Sequence, residues 1–593
     1  MKVAVVGGGP AGIATLKFLA TAHLFFPIPP LDVRLFEAGD EVGGTFVQRV
    51  YEDAELVSSK YLTAFSDFRL PADAPDFVTP AVYVQYLRDY LTHFGLWPHV
   101  RCRSRVTRIV RRLPAGHTVE VTTTAADGGA AVVEAWDCDA VAICTGINVL
   151  PRIPEVPGLL SRTTTTVLHS SEVKTRAQLG EGTHVVVLGA GETGMDMAHL
   201  AVTAPTASVI PTPTPGGRPH KEGTRQNKPV DTSIASLFDT AYAHPLLQRG
   251  PLPWAAYDLW VRWMHWLISG TEEVFMCKSD RALPYLSAGH RSTSLLQRLR
   301  ARILNVPIRP NPDGRTITVR RWPSHVDPSS GIMHFSDADA TTVTPDVVVL
   351  ATGYATSFHM LDHSLGAYPS LDDATSGGRG IYCPTAGVDV AYVGFVRPSI
   401  GAIPPLAELQ AQLWVLRLLQ RSLPGDVVAH RAGDAVEGYE VDYKLRARAG
   451  YDLFRDRRGV DHESYAYQLA LDMGAAPTLG SVLARRDARC LYAWAMGPNF
   501  NTKFRLVGPW RDEAVAAAVM RGELYEVVRR SGGAVYFLTY TVIPLLVFGT
   551  LSLVLYAAGW VAGLPSKALA ACKRAVGRQG RAKEADHKCK ACD

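Results

Sequence analysis

The chain has 593 residues, 47% of them hydrophobic and 20% charged, with a formal net charge of +5. It is too long for one ordinary domain and too apolar for a disordered chain, and its small positive balance, partly carried by the C-terminal tail, excludes an electrostatic nucleic-acid partner. Nine cysteines lie scattered, with neither a disulfide framework nor metal-ligand spacing in the body, which points to a reducing compartment and no metal site.

The N-terminus opens directly into "MKVAVVGGGPAG". It has no charged n-region, apolar core or cleavage site of a signal peptide, so the body is expected in the cytosol. Residues 3–12 read as a β-branched strand, then Gly7, Gly9 and Gly12, then a helical pattern. That is the order a dinucleotide fingerprint requires: a tight turn at the first glycine, backbone approach to a pyrophosphate at the second, helix–strand packing at the third. The helix N-terminus adds unpaired N–H groups and a positive dipole end. The next strand, "LDVRLFEAG", ends in Glu37, placed to accept hydrogen bonds from ribose hydroxyls.

Further along, "CDAVAICTGINVLPRIP" is an apolar strand ending in Thr145-Gly146, and "PDVVVLATGYATSF" is another ending in Thr352-Gly353. Between them "THVVVLGAGETGMDMAHLA" repeats the fingerprint with Gly189, Gly191 and Gly194. Two fingerprints imply two dinucleotides, and the economical pair is a bound flavin and a nicotinamide that delivers hydride. The expected plan is a flavin unit at 1–154, interrupted by a nicotinamide unit at 155–330 and resumed at 331–428, with the chain returning at the second Thr-Gly.

Within the interruption, "PWAAYDLWVRWMHWLISG" spaces Trp254, Tyr257, Trp260, Trp263 and Trp266 three apart, which winds them round a helix rather than along one face. Either packed core or a membrane-apposed lid over a substrate channel, in an insertion at about 220–275, satisfies this. Residues 429–531 read as a mostly helical extension, in which "YKLRARAGYDLFRDRRG" reads as solvated surface. From Ala534 to Leu564 no charge occurs, a run longer than the roughly 20 residues that cross a bilayer, with Tyr536, Tyr540, Tyr556 and Trp560 toward its ends. A membrane segment is therefore expected at 532–565, followed by a basic tail at 566–593 that carries the solvated Cys589-x-x-Cys592 pair. Charge counting and the absent signal peptide place tail and body on the same side. They agree for a re-entrant hairpin broken at Pro544 and Gly549 and conflict for a single span.

Taken together, these blocks resemble the flavin-containing monooxygenases, the class B flavoprotein family that also holds the Baeyer–Villiger enzymes, over roughly residues 1 to 425. "GGGPAG", Glu37 and "EVGGTF" match the flavin half, which adds Gly44, Thr45 and Phe46 to the cofactor-binding set, Phe46 standing where the family usually has Trp. "SSKYLTAFSDFRLPADAPDF" resembles the segment that runs past the flavin ring, and "KSDRALPYLSAGHR" and "AYVGFVRPSIGAIPPLAELQAQ" resemble later blocks. In the last, Gly401, Ala402 and Ile403 would open a helix near the flavin's pyrimidine end.

Three departures accompany the likeness. "TTTTVLHSSEV" sits where the family's interdomain marker belongs, yet only His169 and its serines survive, with Thr163, Thr165 and Val173 at the marker's other positions. His169 reads equally as a structural bridge and as a mechanistic residue. Val57 stands where many members carry an Asn beside the flavin's reactive carbon; a valine cannot donate a hydrogen bond, so Ser58 or Ser59 is expected to take over, or else peroxide leaks. After the second fingerprint no basic residue closes the next strand, and Arg218, with Lys221, is the expected partner of a 2′-phosphate.

The resemblance implies an α/β fold of two Rossmann-like dinucleotide-binding domains, the FAD domain interrupted by the NADPH domain, with a helical C-terminal extension and the membrane segment. It implies a membrane-anchored enzyme, of the endoplasmic reticulum with its body facing the cytosol, that uses FAD, NADPH and molecular oxygen. A C4a-(hydro)peroxyflavin would oxygenate a lipophilic substrate, at nucleophilic nitrogen or sulfur first, with Baeyer–Villiger attack on a ketone or release of hydrogen peroxide as alternatives. A disulfide oxidoreductase shares the two-dinucleotide plan but needs a redox cysteine pair, and Cys144 stands alone at the end of its strand.

Overall fold

The computed structural model describes residues 1–124, 130–161, 165–204, 315–336, 342–375, 377–398, 401–420, 459–530 and 546–562, with a few positions between 230 and 285, around 441–444 and at 538–543. The aromatic run at 254–266, Arg218, Lys221 and the tail after 562 lie outside them, apart from single positions.

The first strand, Lys2–Val6, is β-branched and buried almost throughout, as a central parallel strand must be. It lies in a five-stranded parallel sheet, flanked by Asp32–Phe36 on one side and Ala140–Ile143 on the other, with Val100–Arg101 and Val390–Tyr392 at the edges. The fingerprint helix Pro10–Ala20 packs on one face together with Ile403–Leu419. On the other face stands an antiparallel ladder of Ser104–Arg111, His117–Thr123 and Val132–Cys138.

A second, three-stranded parallel sheet runs Val185–Leu188, Val347–Leu350, Thr166–His169. Its middle strand lies beyond the boundary expected at residue 330. The strand before the second Thr-Gly therefore belongs with the second fingerprint, whose strand needs a buried parallel neighbour.

The extension is helical as expected, with helices at His462–Asp472, Ala488–Met496 and Glu513–Val519. It is no appendage. Trp510 is fully buried among Phe18, Phe25 and Phe26, with ring centroids 5.1, 5.2 and 5.0 Å away, and its Nε1 donates to Gln412 O at 3.1 Å. Beneath it a buried charge cluster forms. Lys17 Nζ donates to Asp67 Oδ2 at 2.7 Å, and Arg505 Nη1 reaches the same oxygen at 2.9 Å and Ser66 Oγ at 3.1 Å. Ser66 N donates to Glu408 at 2.9 Å, joined there by the Ser66 hydroxyl and the Asn501 amide. "YKLRARAGYDLFRDRRG" is not wholly surface either, since Tyr443 packs into the main core.

The expected membrane segment is not supported as a span. Among the described residues no helix is long and apolar enough to cross a membrane. Residues 546–562 form a helix whose apolar side chains are mostly exposed, among them Leu546, Leu553, Val554 and Trp560, while Ser552 is buried and accepts from His244 N at 2.9 Å.

Burial, and Asp67 beside it, push the Glu408 carboxyl up to about 7 from an ordinary 4.5. A folded-state pKa above the unfolded one gives stability that is present below the unfolded value and lost as pH rises through the folded value. Glu408→Gln cannot titrate, so relative to wild type the variant gains stability between about pH 4.5 and pH 7. Equilibrium denaturation at pH 5 and pH 8 checks this; an identical pH slope in both proteins would refute it.

Candidate active site

Both glycine loops follow one construction. A Cβ on Gly7 would stand 2.6 Å from Cys144 O, and one on Gly12 1.8 Å from Gly7 O. In the second loop a Cβ on Gly189 would stand 2.3 Å from Ala351 O, and one on Gly194 2.0 Å from Gly189 O. The outer glycines are thus demanded by the protein's own packing. The middle ones are not: Gly9 has its nearest neighbour at 3.8 Å and Gly191 has nothing within 4 Å. Within each loop the space is kept clear at the middle glycine, at the carboxyl end of a parallel strand, which is what a pyrophosphate needs. The residues present fit two dinucleotides.

Glu37 is buried and accepts from Gly8 N at 2.6 Å and Gly39 N at 2.7 Å. A carboxylate has about four acceptor sites, so bracing the loop leaves capacity for a ribose. Gly44 (φ +57°) faces Gly9, a Cβ there falling 3.0 Å from Gly9 Cα. It opens the short helix Thr45–Gln48, in which Thr45 is exposed and Phe46 packs edge-on to Tyr83 at 4.6 Å. Gly146 and Gly353 both take φ +81° with open space beside them. The Thr145 hydroxyl is buried without a hydrogen-bond partner, whereas Thr352 Oγ1 donates to Arg152 O.

The serine pair divides. Ser58 Oγ is engaged with Thr63 Oγ1 at 2.8 Å. Ser59 is fully buried, and its hydroxyl has no hydrogen-bond partner. Lys60 secures the segment by donating to the carbonyls of Pro71, Ala72 and Ala74 at 3.0, 3.0 and 2.5 Å. Ser59 N donates at 2.6 Å to Asp231 Oδ2, a buried carboxylate from the insertion. The sequence reading missed Asp231: a lone acid in a loop, 172 positions from its partner, gives no local signal.

His169 is not brought to the serines. Its Nδ1 faces Ser171 Oγ at 2.9 Å, its Nε2 faces Gly353 O at 3.1 Å, and its ring meets Tyr354 at 5.0 Å. Burial holds its pKa below the usual histidine range, so at neutral pH it is an uncharged brace between linker and second Thr-Gly. Cys144 is free and buried, its thiol pushed up to about 12 by burial, which is inert rather than redox chemistry. Gly401 (φ +153°) and buried Ala402 precede Ile403–Leu419, whose N-terminus has no side-chain cap.

The family model described as FMO-like, flavin-binding monooxygenase-like, matches residues 1–239 and 318–527. "Monooxygenase cfoE" of Aspergillus candidus is 41% identical, covering 94% of this chain and 98% of its own length. "Dimethylaniline monooxygenase (N-oxide-forming) 2" of Oryctolagus cuniculus is 26% identical over 87% of this chain and 91% of its own. The structure of S-allyl-L-cysteine S-oxygenase from Allium sativum superposes with a TM-score of 0.50 at 17% identity, covering 88% of this chain and 98% of that one, which shows a shared fold.

Substitutions that separate packing from ligand follow from the glycines. Gly9→Ala and Gly191→Ala are expected to fold like wild type, the first losing bound flavin and the second losing NADPH affinity, each by about tenfold or more. Gly12→Ala destabilises the protein itself, its Cβ having no room. Flavin content, NADPH titration and thermal unfolding check the set; a Gly9→Ala protein that keeps its flavin would overturn the reading.

Proposed function

Since the chain belongs to the flavin-binding monooxygenase-like family, we propose that it oxygenates a small lipophilic substrate at a nucleophilic nitrogen or sulfur. Membership makes it a flavin-dependent monooxygenase, an oxidoreductase that incorporates oxygen with FAD and NADPH as cofactors. Bound FAD, reduced by the nicotinamide, supplies the activation of oxygen.

In this reading the first loop, with Gly7, Gly9, Gly12, Glu37, Gly44, Thr45, Phe46, Thr145 and Gly146, holds FAD, with Gly401 and Ala402 at the ring end. The second, with Gly189, Gly191 and Gly194, holds NADPH, and Thr352-Gly353 lines the crossing between the two units. Arg218 is assigned to the 2′-phosphate on charge alone. The observation that carries the reading is the buried, unpartnered Ser59 hydroxyl in the segment that runs past the flavin ring. Ser59 replaces the hydrogen-bonding capacity missing at Val57, and Asp231 fixes its backbone. Ser58 shapes the turn through Thr63, and His169 braces the linker from a distance. A soft nucleophile attacks activated oxygen without a dedicated acid–base pair, so the site's task reduces to orientation and exclusion of water. The N-oxide-forming relative favours nitrogen over a ketone.

A lipophilic substrate suits the 546–562 helix, whose exposed apolar side chains would seat the enzyme on a bilayer, on the cytosolic face of the endoplasmic reticulum. The full chain is expected to float with phosphatidylcholine vesicles, and Leu553→Glu with Val554→Glu to abolish flotation while leaving flavin content unchanged. Full flotation of the double variant would remove the membrane from the reading.

Val57 favours one competing reading, an oxidase that releases hydrogen peroxide. Simultaneous assay of NADPH consumption, peroxide and oxygenated amine or thioether decides. Ser59→Ala is expected to lower the fraction of NADPH that yields product by about threefold to tenfold, the worth of one hydrogen bond, and to raise peroxide correspondingly. Asp231→Asn should act in the same direction through kcat with little change in the KM for NADPH. Wild-type protein that returns all its reducing equivalents as peroxide with every amine and thioether tested would sink the oxygenase proposal.

A further inference from the structure

The extension contributes a histidine that nothing in the expected mechanism uses. Gly459–Val460 adds a parallel strand beside Arg397–Pro398, and this carries His462, first residue of its helix, onto Gly401. A Cβ on Gly401 would lie 2.3 Å from His462 Cδ2 and 2.4 Å from Cγ, so the imidazole occupies the very space the glycine leaves open. The placement is locked from several sides. Asp461 caps the helix through Ser464, Gln410 Nε2 donates to Tyr465 OH at 2.8 Å, and Tyr465 OH donates to Arg379 O at 2.6 Å.

His462 is 1% exposed. Its Nδ1 faces Glu463 Oε1 at 3.3 Å, and Glu463 is itself held by the backbone and side-chain amides of Asn499. In the neutral ring a carboxylate beside Nδ1 holds the proton on that nitrogen and leaves Nε2 as an acceptor. That Nε2 is buried with no hydrogen-bond partner. Leaving such an atom unsatisfied is unfavourable, and a bound donor would remove that cost.

The location fixes the kind of ligand. Val393 and Gly394 leave the carboxyl end of the edge strand Val390–Tyr392, and a Cβ on Gly394 would stand 2.8 Å from Ala11 Cβ, at the start of the fingerprint helix, and 3.9 Å from Ile403 Cγ2. His462 and the uncapped N-terminus of Ile403–Leu419 therefore stand at the same sheet edge as the first glycine loop, where open α/β sheets take their ligands. The isoalloxazine of FAD has one ring N–H, N3–H on its pyrimidine edge, flanked by two carbonyls. A lone acceptor is the complement of that N–H.

We propose that His462 is a flavin-positioning residue: Nε2 accepts a hydrogen bond from N3–H of the flavin, in a tautomer set by Glu463, so that the C-terminal extension completes the FAD site. The proposal rests on FAD binding at the first loop.

A ligand–protein cycle tests it. Apoprotein is titrated with FAD and with N3-methyl-FAD, which has no N–H to donate, using flavin fluorescence. Wild type is expected to prefer FAD by about tenfold or more, His462→Ala to bind FAD about tenfold more weakly and to lose the preference, and His462→Gln, whose amide oxygen accepts, to restore part of it. The nitrogen resonance of ¹⁵N3-labelled FAD should shift between wild type and His462→Ala, and thermal unfolding of the apoproteins separates misfolding from lost contact. Equal preference for FAD in wild type and in a folded His462→Ala protein, or an unmoved N3 resonance, overturns the assignment. Wild type that binds neither flavin overturns FAD binding itself, a different failure.

Discussion

Four stretches far apart in sequence meet at one buried carboxylate, Asp67. The fingerprint helix brings Lys17, the segment after the serine pair brings Ser66 and Asp67, and the extension brings Arg505 and Asn501. The Ile403–Leu419 helix supplies Glu408 through Ser66. Each ion taken out of water costs several kcal/mol, and the attraction repays that only when the geometry is held. Burial alone would raise the Asp67 pKa, but Lys17 and Arg505 overcome it and hold the carboxyl low. None of the four stretches can shift without stranding a charge or a buried hydrogen-bonding group. Ser59 lies just before this cluster and Gly401 just before the helix that carries Glu408, so the shape of the proposed flavin site inherits the rigidity of the cluster.

The seam toward the second sheet is built differently. Arg176 pairs with Glu52 at 2.8 Å and also contacts Asp53, Lys174 Nζ reaches Gln48 O at 2.9 Å, and Tyr51 OH donates to Asp196 at 2.5 Å. Most of these groups are half-exposed, and such pairs contribute about 0–1 kcal/mol each. One dinucleotide unit is therefore bolted to the extension by buried ions, while the other is joined to it by exchangeable surface contacts. A flavin that stays bound and a nicotinamide that must come and go ask for that asymmetry. Asp231 crosses the seam to the Ser59 backbone and ties the state of the insertion to the serine segment.

Both fingerprints were legible in the sequence because everything that defines them is local: strand, three glycines, helix. Glu37 and the serine pair were legible by position, though which serine is free depended on Thr63, a contact made only once the turn forms. The rest was not legible because it is tertiary. Asp231 and His462 are ordinary residues until folding sets them beside Ser59 and Gly401. The place of Val347–Leu350 in the second sheet depends on pairing, which periodicity does not encode. The uncharged C-terminal run is a third case. Its hydropathy is legible, but hydropathy alone does not say what covers the apolar side chains that stand exposed along 546–562.

The two Thr-Gly pairs show how one module was put to two uses. In each, the residue before the threonine, Cys144 or Ala351, presses its carbonyl onto the first fingerprint glycine, and the glycine after it turns at φ +81°. That much is dictated by packing a strand end against a glycine loop, and it is identical in both halves. The threonines then diverge. Thr352 Oγ1 donates to Arg152 O and its neighbour Gly353 O faces His169, so the second pair knits the two crossings between the units. Thr145 Oγ1 is buried and unpartnered, and a hydroxyl in that state has a cost which a ligand's polar atom would cancel. The same backbone device therefore serves as a joint in one half and as an open donor–acceptor in the other. The half left open is the one whose flank is closed by the extension.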